Sequence, residues 1–262
     1  MTIDYRGTTA LVTGASSGIG EEFARQLASR GANLVLVARR AERLEALATE
    51  LRAERGVTVD VIPLDLAAPR VGRALAAGLS ERGITIDTVV ANAGFGTHER
   101  FEDEDGDRIA DEIAVNVAAV VDIAHEFYPG MLARGRGALV TVASTGAYQP
   151  VPHMAVYGAT KAFVLSFTEA LWYEARHSTL RVLALSPGAT GTEFFDVAGD
   201  DAQVGPRRQP VAELVEFAMR TLDRPNGAGS VIAGFGNHLT AAVSRLLPRR
   251  ALTSLTGRVM KA

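Results

Sequence analysis

Short apolar runs alternate with longer stretches in which apolar residues recur every three or four positions. Thr8 to Thr13 is a compact run rich in β-formers that ends in a glycine-rich turn. Ile19, Phe23 and Leu27 follow as one stripe of a helix, which Gly31 closes. Asn33 to Ala38 is the next apolar run, and Leu44, Leu47 and Leu51 share the face of the helix after it. The unit repeats: Val57 to Leu64 predicts a strand and Val71, Leu75 and Leu79 a helix; Ile86 to Ala91 a strand and Gly106 to Leu132 one long helix. Ala138 to Ala143, Leu180 to Leu185 and Ser230 to Ala233 are the remaining strands; Ala155 to His177 is a helix, and Pro210 opens another that runs to Leu222.

Strands that are apolar throughout and separated by amphipathic helices predict a parallel sheet covered on both faces. Right-handed crossovers make it a doubly wound α/β sheet of the Rossmann type, with about seven strands and helices on both faces. No composition break marks a second domain, so residues 1–262 are expected to form one. Gly188 to Gln209 departs from the pattern. A loop of that length is usually functional or mobile, and it is expected to be the substrate loop.

Composition narrows the function classes. Hydrophobic residues make up 47% and charged residues 22%, an ordinary globular balance. The net charge of −3 gives no global electrostatic case for nucleic acid. The absence of Cys excludes disulfides, thiolate catalysis and Cys-ligated zinc. Met1 to Gly7 carries Asp4 and Arg6 and no apolar region, so no secretory signal is expected. The most apolar region, Ala114 to Ala124, is broken by Asn116 and Asp122, so no membrane span is expected either. A soluble cytoplasmic protein is the expectation.

Two local features carry chemistry. Thr13-Gly14-Ala15-Ser16-Ser17-Gly18-Ile19-Gly20 is a glycine-rich turn before a helix, where backbone N–H groups can meet phosphates. Its spacing is not G-x-G-x-x-G, because Phe23 stands where a third glycine would be. Tyr157 and Lys161 lie four apart and share a helix face. A neighbouring ammonium favours the phenolate and brings a phenol toward the working range.

The combination is more specific than either feature. The glycine-rich turn, Asn92-Ala93-Gly94 after the fourth strand, Asn116, Ser144 at the end of the fifth strand, Tyr157 with Lys161, and Pro187-Gly188 after the sixth resemble the short-chain dehydrogenase/reductase family in its single-domain, NADP-preferring branch. The resemblance covers Arg6 to Gly234 and implies an NADP(H)-dependent oxidoreductase that interconverts a carbonyl and an alcohol. It implies that Tyr157 is the general acid or base, that Lys161 lowers its pKa and binds the nicotinamide ribose, and that Ser144 bonds the substrate oxygen. Asn116 would hold a relay water. Thr13, Ser16, Gly18 and Ile19 would line the phosphate turn, with Asp65 and Leu66 at the adenine, Asn92, Ala93 and Gly94 at its ribose, and Pro187, Gly188 and Thr190 near the nicotinamide. Ala91 departs from the family's Asn-Asn-Ala-Gly, so a rearranged local hydrogen bond is expected. The family packs the helices corresponding to 106–132 and 155–177 against a partner subunit, so a homodimer or homotetramer is expected. A rival reading is a non-catalytic NADP(H)-binding sensor, which would be expected to lack Tyr157, Lys161 or Ser144.

After the second strand comes Ala38-Arg39-Arg40. An NAD site usually places an acidic residue at this strand end. Ala38 leaves room, and Arg39, with Arg40 able to share the role, can pair with a 2′-phosphate. The five His residues show no ligand spacing, and no metal is expected. His153 either lines the pocket or is an ordinary loop residue. Phe194 and Phe195 are either a lid or the loop's anchor, and Trp172 is interface or core. Six basic and no acidic residues follow Asp223. Residues 237–262 thus form a basic amphipathic extension, with Leu239, Val243, Leu246 and Leu247 on one stripe, Pro248 interrupting, and Leu252, Leu255 and Val259 continuing. It either meets a membrane or acidic partner, or packs on the fold or a neighbouring subunit.

Overall fold

A computed structural model describes residues 2–199, 208–224, 227–244 and 246–260. Seven strands pair in parallel in the order β3-β2-β1-β4-β5-β6-β7: β1 Thr9–Thr13, β2 Asn33–Ala38, β3 Val59–Pro63, β4 Thr88–Ala91, β5 Ala138–Val142, β6 Arg181–Ser186 and β7 Ser230–Ile232. The order reverses between β1 and β4, which opens a crevice at their carboxyl ends. One face packs on α1 (Gly18–Ser29), α2 (Ala41–Arg55) and α8 (Val211–Leu222), through Phe23, Leu27, Leu44 and Met219. The other packs on α3 (Val71–Glu81), α5 (Ala119–Arg134) and α6 (Ala155–Glu174), through Leu75, Ile123, Met131 and Val164. Phe23, placed where a third glycine might have been, is fully buried. Burying such a ring contributes about 1.5–3 kcal/mol.

The expected long helix over 106–132 is three pieces. α4 (Gly106–Ile113) passes into a π-helical turn, Ala114–Ala118, before α5 resumes. The widened turn centres on Asn116, whose side chain is fully buried and bonded to another segment. The loop after β6 holds a short helix, α7 (Phe194–Ala198). Its neck is closed by backbone bonds from Gln209 N to Ala189 O and from Gly191 N to Gln209 O. Of the expected substrate loop, 200–207 lie outside the described residues, as do Arg245 and Lys261 of the basic extension.

That extension forms α9 (Phe235–Ser244) and α10 (Arg249–Val259), and both pack on the fold. Ala241, Ser244, Leu252 and Thr256 are their buried positions, and Ser244 donates to the Tyr148 carbonyl. Among the described residues no helix is long and apolar enough to cross a membrane.

Candidate active site

The turn after β1 is held from behind. Thr13 Oγ1 accepts from the backbone N–H of Asn92 and of Ala93 at 3.0 and 3.1 Å, tying the end of β1 to the end of β4. Thr13 therefore stands behind the turn, and Gly14, Ser16, Ser17, Gly18 and Ile19 face the cleft. Asn92 Nδ2 donates to the Thr13 carbonyl at 3.0 Å. That bond is made although Ala91 is not Asn, and Ala91 sits buried in β4. The close approach expected of a third glycine falls at Gly20. A side chain there would overlap the Gly14 carbonyl and lie 2.5 Å from Asn92 Nδ2.

At the end of β2, Ala38 is almost fully buried, and Arg39 is exposed on the cleft wall. Arg40 is already engaged. It donates to Ser16 Oγ at 3.1 Å, to Ser17 Oγ at 2.7 Å and to Glu193 at 2.7 Å. Glu193 also accepts from Arg43, and these two guanidinium groups, Arg43 first, hold its carboxyl down at about 2. The loop after β6 is thus clasped to the glycine-rich turn. Asp65 and Leu66 line the same wall, and Asp65 caps its own turn by accepting from Ala67 N.

Farther along the cleft, Ser144 at the end of β5 accepts from Gly146 N at 3.0 Å and lines the same cavity as Tyr157. Tyr157, on the first turn of α6, packs against Phe194 with ring centroids 5.2 Å apart. Burial pushes its phenol up to about 12, against the smaller downward pull of Ser144. The spacing to Lys161 alone suggests a phenol drawn down; here burial dominates, and Glu112 adds to it. Lys161 is itself desolvated, which brings its ammonium down to about 8, and it donates to the Val142 carbonyl at 2.8 Å. Asn116 donates to Phe95 O at 2.8 Å and to Thr160 Oγ1 at 3.1 Å, and accepts from Phe95 N. A side-chain carbon on Gly94 would lie 2.8 Å from Asn116 Oδ1 and 3.1 Å from Lys161 Nζ. Both polar atoms therefore border the space that this glycine leaves.

One cavity of about 1050 Å³ runs from the glycine-rich turn, past Asn92, Ala93 and Gly94, to Ser144, Tyr157 and Lys161. Pro187, Gly188 and Thr190 line it after β6. The Pro187 carbonyl accepts from Thr145 N, and Thr190 Oγ1 donates to Gly188 O.

The family model for short chain dehydrogenases matches residues 8–203 of this chain. The chain belongs to the short-chain dehydrogenase family. A short-chain dehydrogenase of Sphingobium yanoikuyae, solved in complex with NADPH, is 36% identical; the alignment covers 97% of each chain with a TM-score of 0.81. A granaticin polyketide synthase putative ketoacyl reductase of Streptomyces violaceoruber is 40% identical over 71% of this chain and 69% of its own length. The human inactive hydroxysteroid dehydrogenase-like protein 1 is 34% identical over 73% of this chain, which spans only 58% of that protein.

Several residues of this short-chain dehydrogenase site carry no signal in the sequence. Glu193 meets Arg40 and Arg43 across 153 and 150 positions. Asn237 on α9 packs directly on Gly188. Phe194 and Phe195 divide the two roles proposed for them: Phe195 is buried with Met154, Ala198 and Met260 as an anchor, and Phe194 flanks Tyr157 on the cavity wall. His153 does not line the cavity; its carbonyl accepts from Glu99 N. Trp172 donates to the Gly227 carbonyl and remains partly exposed.

Glu112, on α4, is 1% exposed, and one carboxyl oxygen has no hydrogen-bond partner among the described residues. Burial, then Glu104, pushes its carboxyl up to about 7, against opposing effects from the Thr97 backbone, Arg108 and Lys161. The unfolded chain ionises Glu112 near 4.5 while the folded protein keeps it protonated until about 7. Its contribution to stability is therefore full below 4.5 and is lost as pH rises to 7. Relative to Glu112→Gln, the parent is expected to lose on the order of 3 kcal/mol across that window. Paired urea unfolding curves at pH 4.5 and 8 check this; a constant difference between the two proteins contradicts it.

Proposed function

We propose that this protein is an NADP(H)-dependent oxidoreductase that interconverts a carbonyl and an alcohol, with Tyr157 as general acid in reduction and general base in oxidation. The observation that carries the reading is that Ser144, Tyr157 and Lys161 meet in the same cleft as the glycine-rich turn. The turn suits a pyrophosphate, because Gly14 and Gly20 keep side chains out of the approach and α1 presents its N-terminus there. The cofactor would supply or accept a hydride. Ser144 positions the substrate oxygen. Tyr157, held neutral by burial, has a proton to give to a developing alkoxide. Lys161 stands against the phenolate that remains and would reach the ribose hydroxyls. The Asn116 carboxamide is occupied by Phe95 and Thr160, so it fixes the space beside Gly94 in which a relay water would sit.

The sensor reading has in its favour relatives whose names call them inactive, the human protein among them. Against it stand Ser144, Tyr157 and Lys161, all present and assembled here. NADPH absorbance followed over a panel of ketones and aldehydes tests the matter. Nucleotide binding without turnover of any carbonyl would favour the sensor.

Preference for NADPH over NADH is expected to be at least about tenfold, or 1.4 kcal/mol. Ala38 offers no acceptor to a ribose diol, and Arg39 stands open on the wall beside it. Arg39→Ala is expected to erase most of the preference, and Ala38→Asp to reverse it by repulsion. Equal dissociation constants for the two nucleotides in the parent protein, measured by titration, would refute the assignment.

Assembly as a homodimer or homotetramer is also proposed. Phe163, stacked on Phe167, is exposed on α6, and Ile113 is exposed on α4. A partner subunit would cover them. A sedimentation mass near 27.7 kDa at micromolar concentrations contradicts this.

A further inference from the structure

We infer that the carbonyl compound taken by this chain carries an uncharged apolar body, either an alkyl chain or fused rings, that lies against α9 and α10. The inference rests on the carbonyl reading above and names the substrate class for that same site. The matched family segment ends at residue 203, before either helix begins.

The cavity continues beyond Tyr157 and Met154 along Val243, Leu252, Leu255 and Val259. Among the described residues, none of those of α9 and α10 that line the cavity is charged; the polar ones, Asn237, Thr240, Ser244 and Thr256, each donate to a backbone carbonyl. The charged residues that line the cavity lie elsewhere: at the nucleotide end, on α4, at Glu193 and at Lys161 in the reaction centre. Leu252, Leu255 and Val259 follow a helical stripe about 10 Å long, at 1.5 Å per residue. Met260 is buried against Met154 and Phe195, which fixes the end of α10 beside the reaction centre. Yet Val243, Leu255 and Val259 remain 44%, 53% and 55% exposed while lining the cavity. Apolar side chains turned into an open cleft are the surface that an apolar ligand would cover. A sugar would find few free donors on this wall, and a multiply charged substrate no counter-charge.

The test uses methyl ketones from butan-2-one to dodecan-2-one, with a steroid ketone as the ring arm. Each is followed by NADPH oxidation and, independently, by calorimetric titration of the full-length protein. In the parent, kcat/KM and affinity are expected to rise about two- to fourfold per methylene once the chain reaches the wall. Leu255→Asp and Val259→Asp, both at half-exposed positions, are expected to flatten that slope. A gain confined to the steroid identifies the apolar body as rings and supports the wall equally. A flat ketone series with no gain for the steroid overturns the inference, as does a slope unchanged in both variants. Turnover of no ketone, with calorimetric affinity still rising along the series, would instead count against the carbonyl reading and leave the wall standing.

Discussion

Tyr157→Phe is expected to lower kcat by a factor of about 10²–10⁴ while leaving nucleotide affinity nearly unchanged. The substitution removes only the hydroxyl, and the ring keeps its packing against Phe194. Because burial holds the phenol at about 12, it enters reduction fully protonated across the neutral range. In the oxidative direction the proton must be taken up by a phenolate that is scarcely populated at neutral pH, so that direction is expected to gain rate as pH rises. Lys161 explains the contrast expected of a second variant. Its ammonium, brought down to about 8, faces Tyr157 and is anchored on Val142 O, so Lys161→Ala is expected to lower both turnover and nucleotide affinity. Stopped-flow NADPH oxidation paired with nucleotide titration separates the two patterns. Parental turnover in Tyr157→Phe would show that the acid is another group.

Gly137→Ala is expected to cost about 4 kcal/mol or more, a large part of a domain's usual 5–15 kcal/mol. Gly137 enters β5 at φ +85°, a region that disfavours L side chains. A side chain there would also overlap the backbone carbonyl of Asp87, which cannot move. Asp87 is buried and anchored by Arg136 at 3.0 Å and by Arg134 at 3.3 Å, and it accepts from Thr9 N. The overlap therefore strikes the junction of β1, β4 and β5. Chemical denaturation checks the size of the effect. Unfolding at the parental midpoint would mean that the turn relaxes more freely than these contacts allow.

Much of this architecture is legible in the chain because parallel strands buried on both faces leave apolar runs, and their helices leave stripes. Leu75 and Leu79, or Phe23 and Leu27, announce their elements without any knowledge of partners. Site residues at strand ends are legible by order: Ser144 ends β5, Asn92 follows β4, and Tyr157 and Lys161 are spaced for one face. What escaped depends on partners far away in sequence or on burial. Nothing near Glu193 tells that Arg40 and Arg43 will hold it. The π-helical turn at Asn116 keeps a helical apolar pattern, so 106–132 looked continuous. Glu112 looks like any solvated helix carboxylate until Thr97 and Lys161 close around it. The direction in which Tyr157 shifts depends on how much protein surrounds the ring, which spacing to Lys161 does not encode. The role of α9 and α10 was also hidden, since a stripe of leucines reads the same whether it faces a core, a cleft or a bilayer.

α9 and α10 add to a sheet that does not need them to close. All seven strands are complete at Ile232, before α9 begins at Phe235. A folding chain can therefore assemble the sheet and bring Ser144 and Tyr157 together before these two helices dock. Met260 is the latest member of the cluster it shares with Met154, Phe195 and Ala198. Until it arrives, that side of the cleft stands open to water beside an otherwise finished reaction centre. The reaction centre and the wall beside it are thus separable in folding: the sheet can close without α9 and α10, but the cleft cannot.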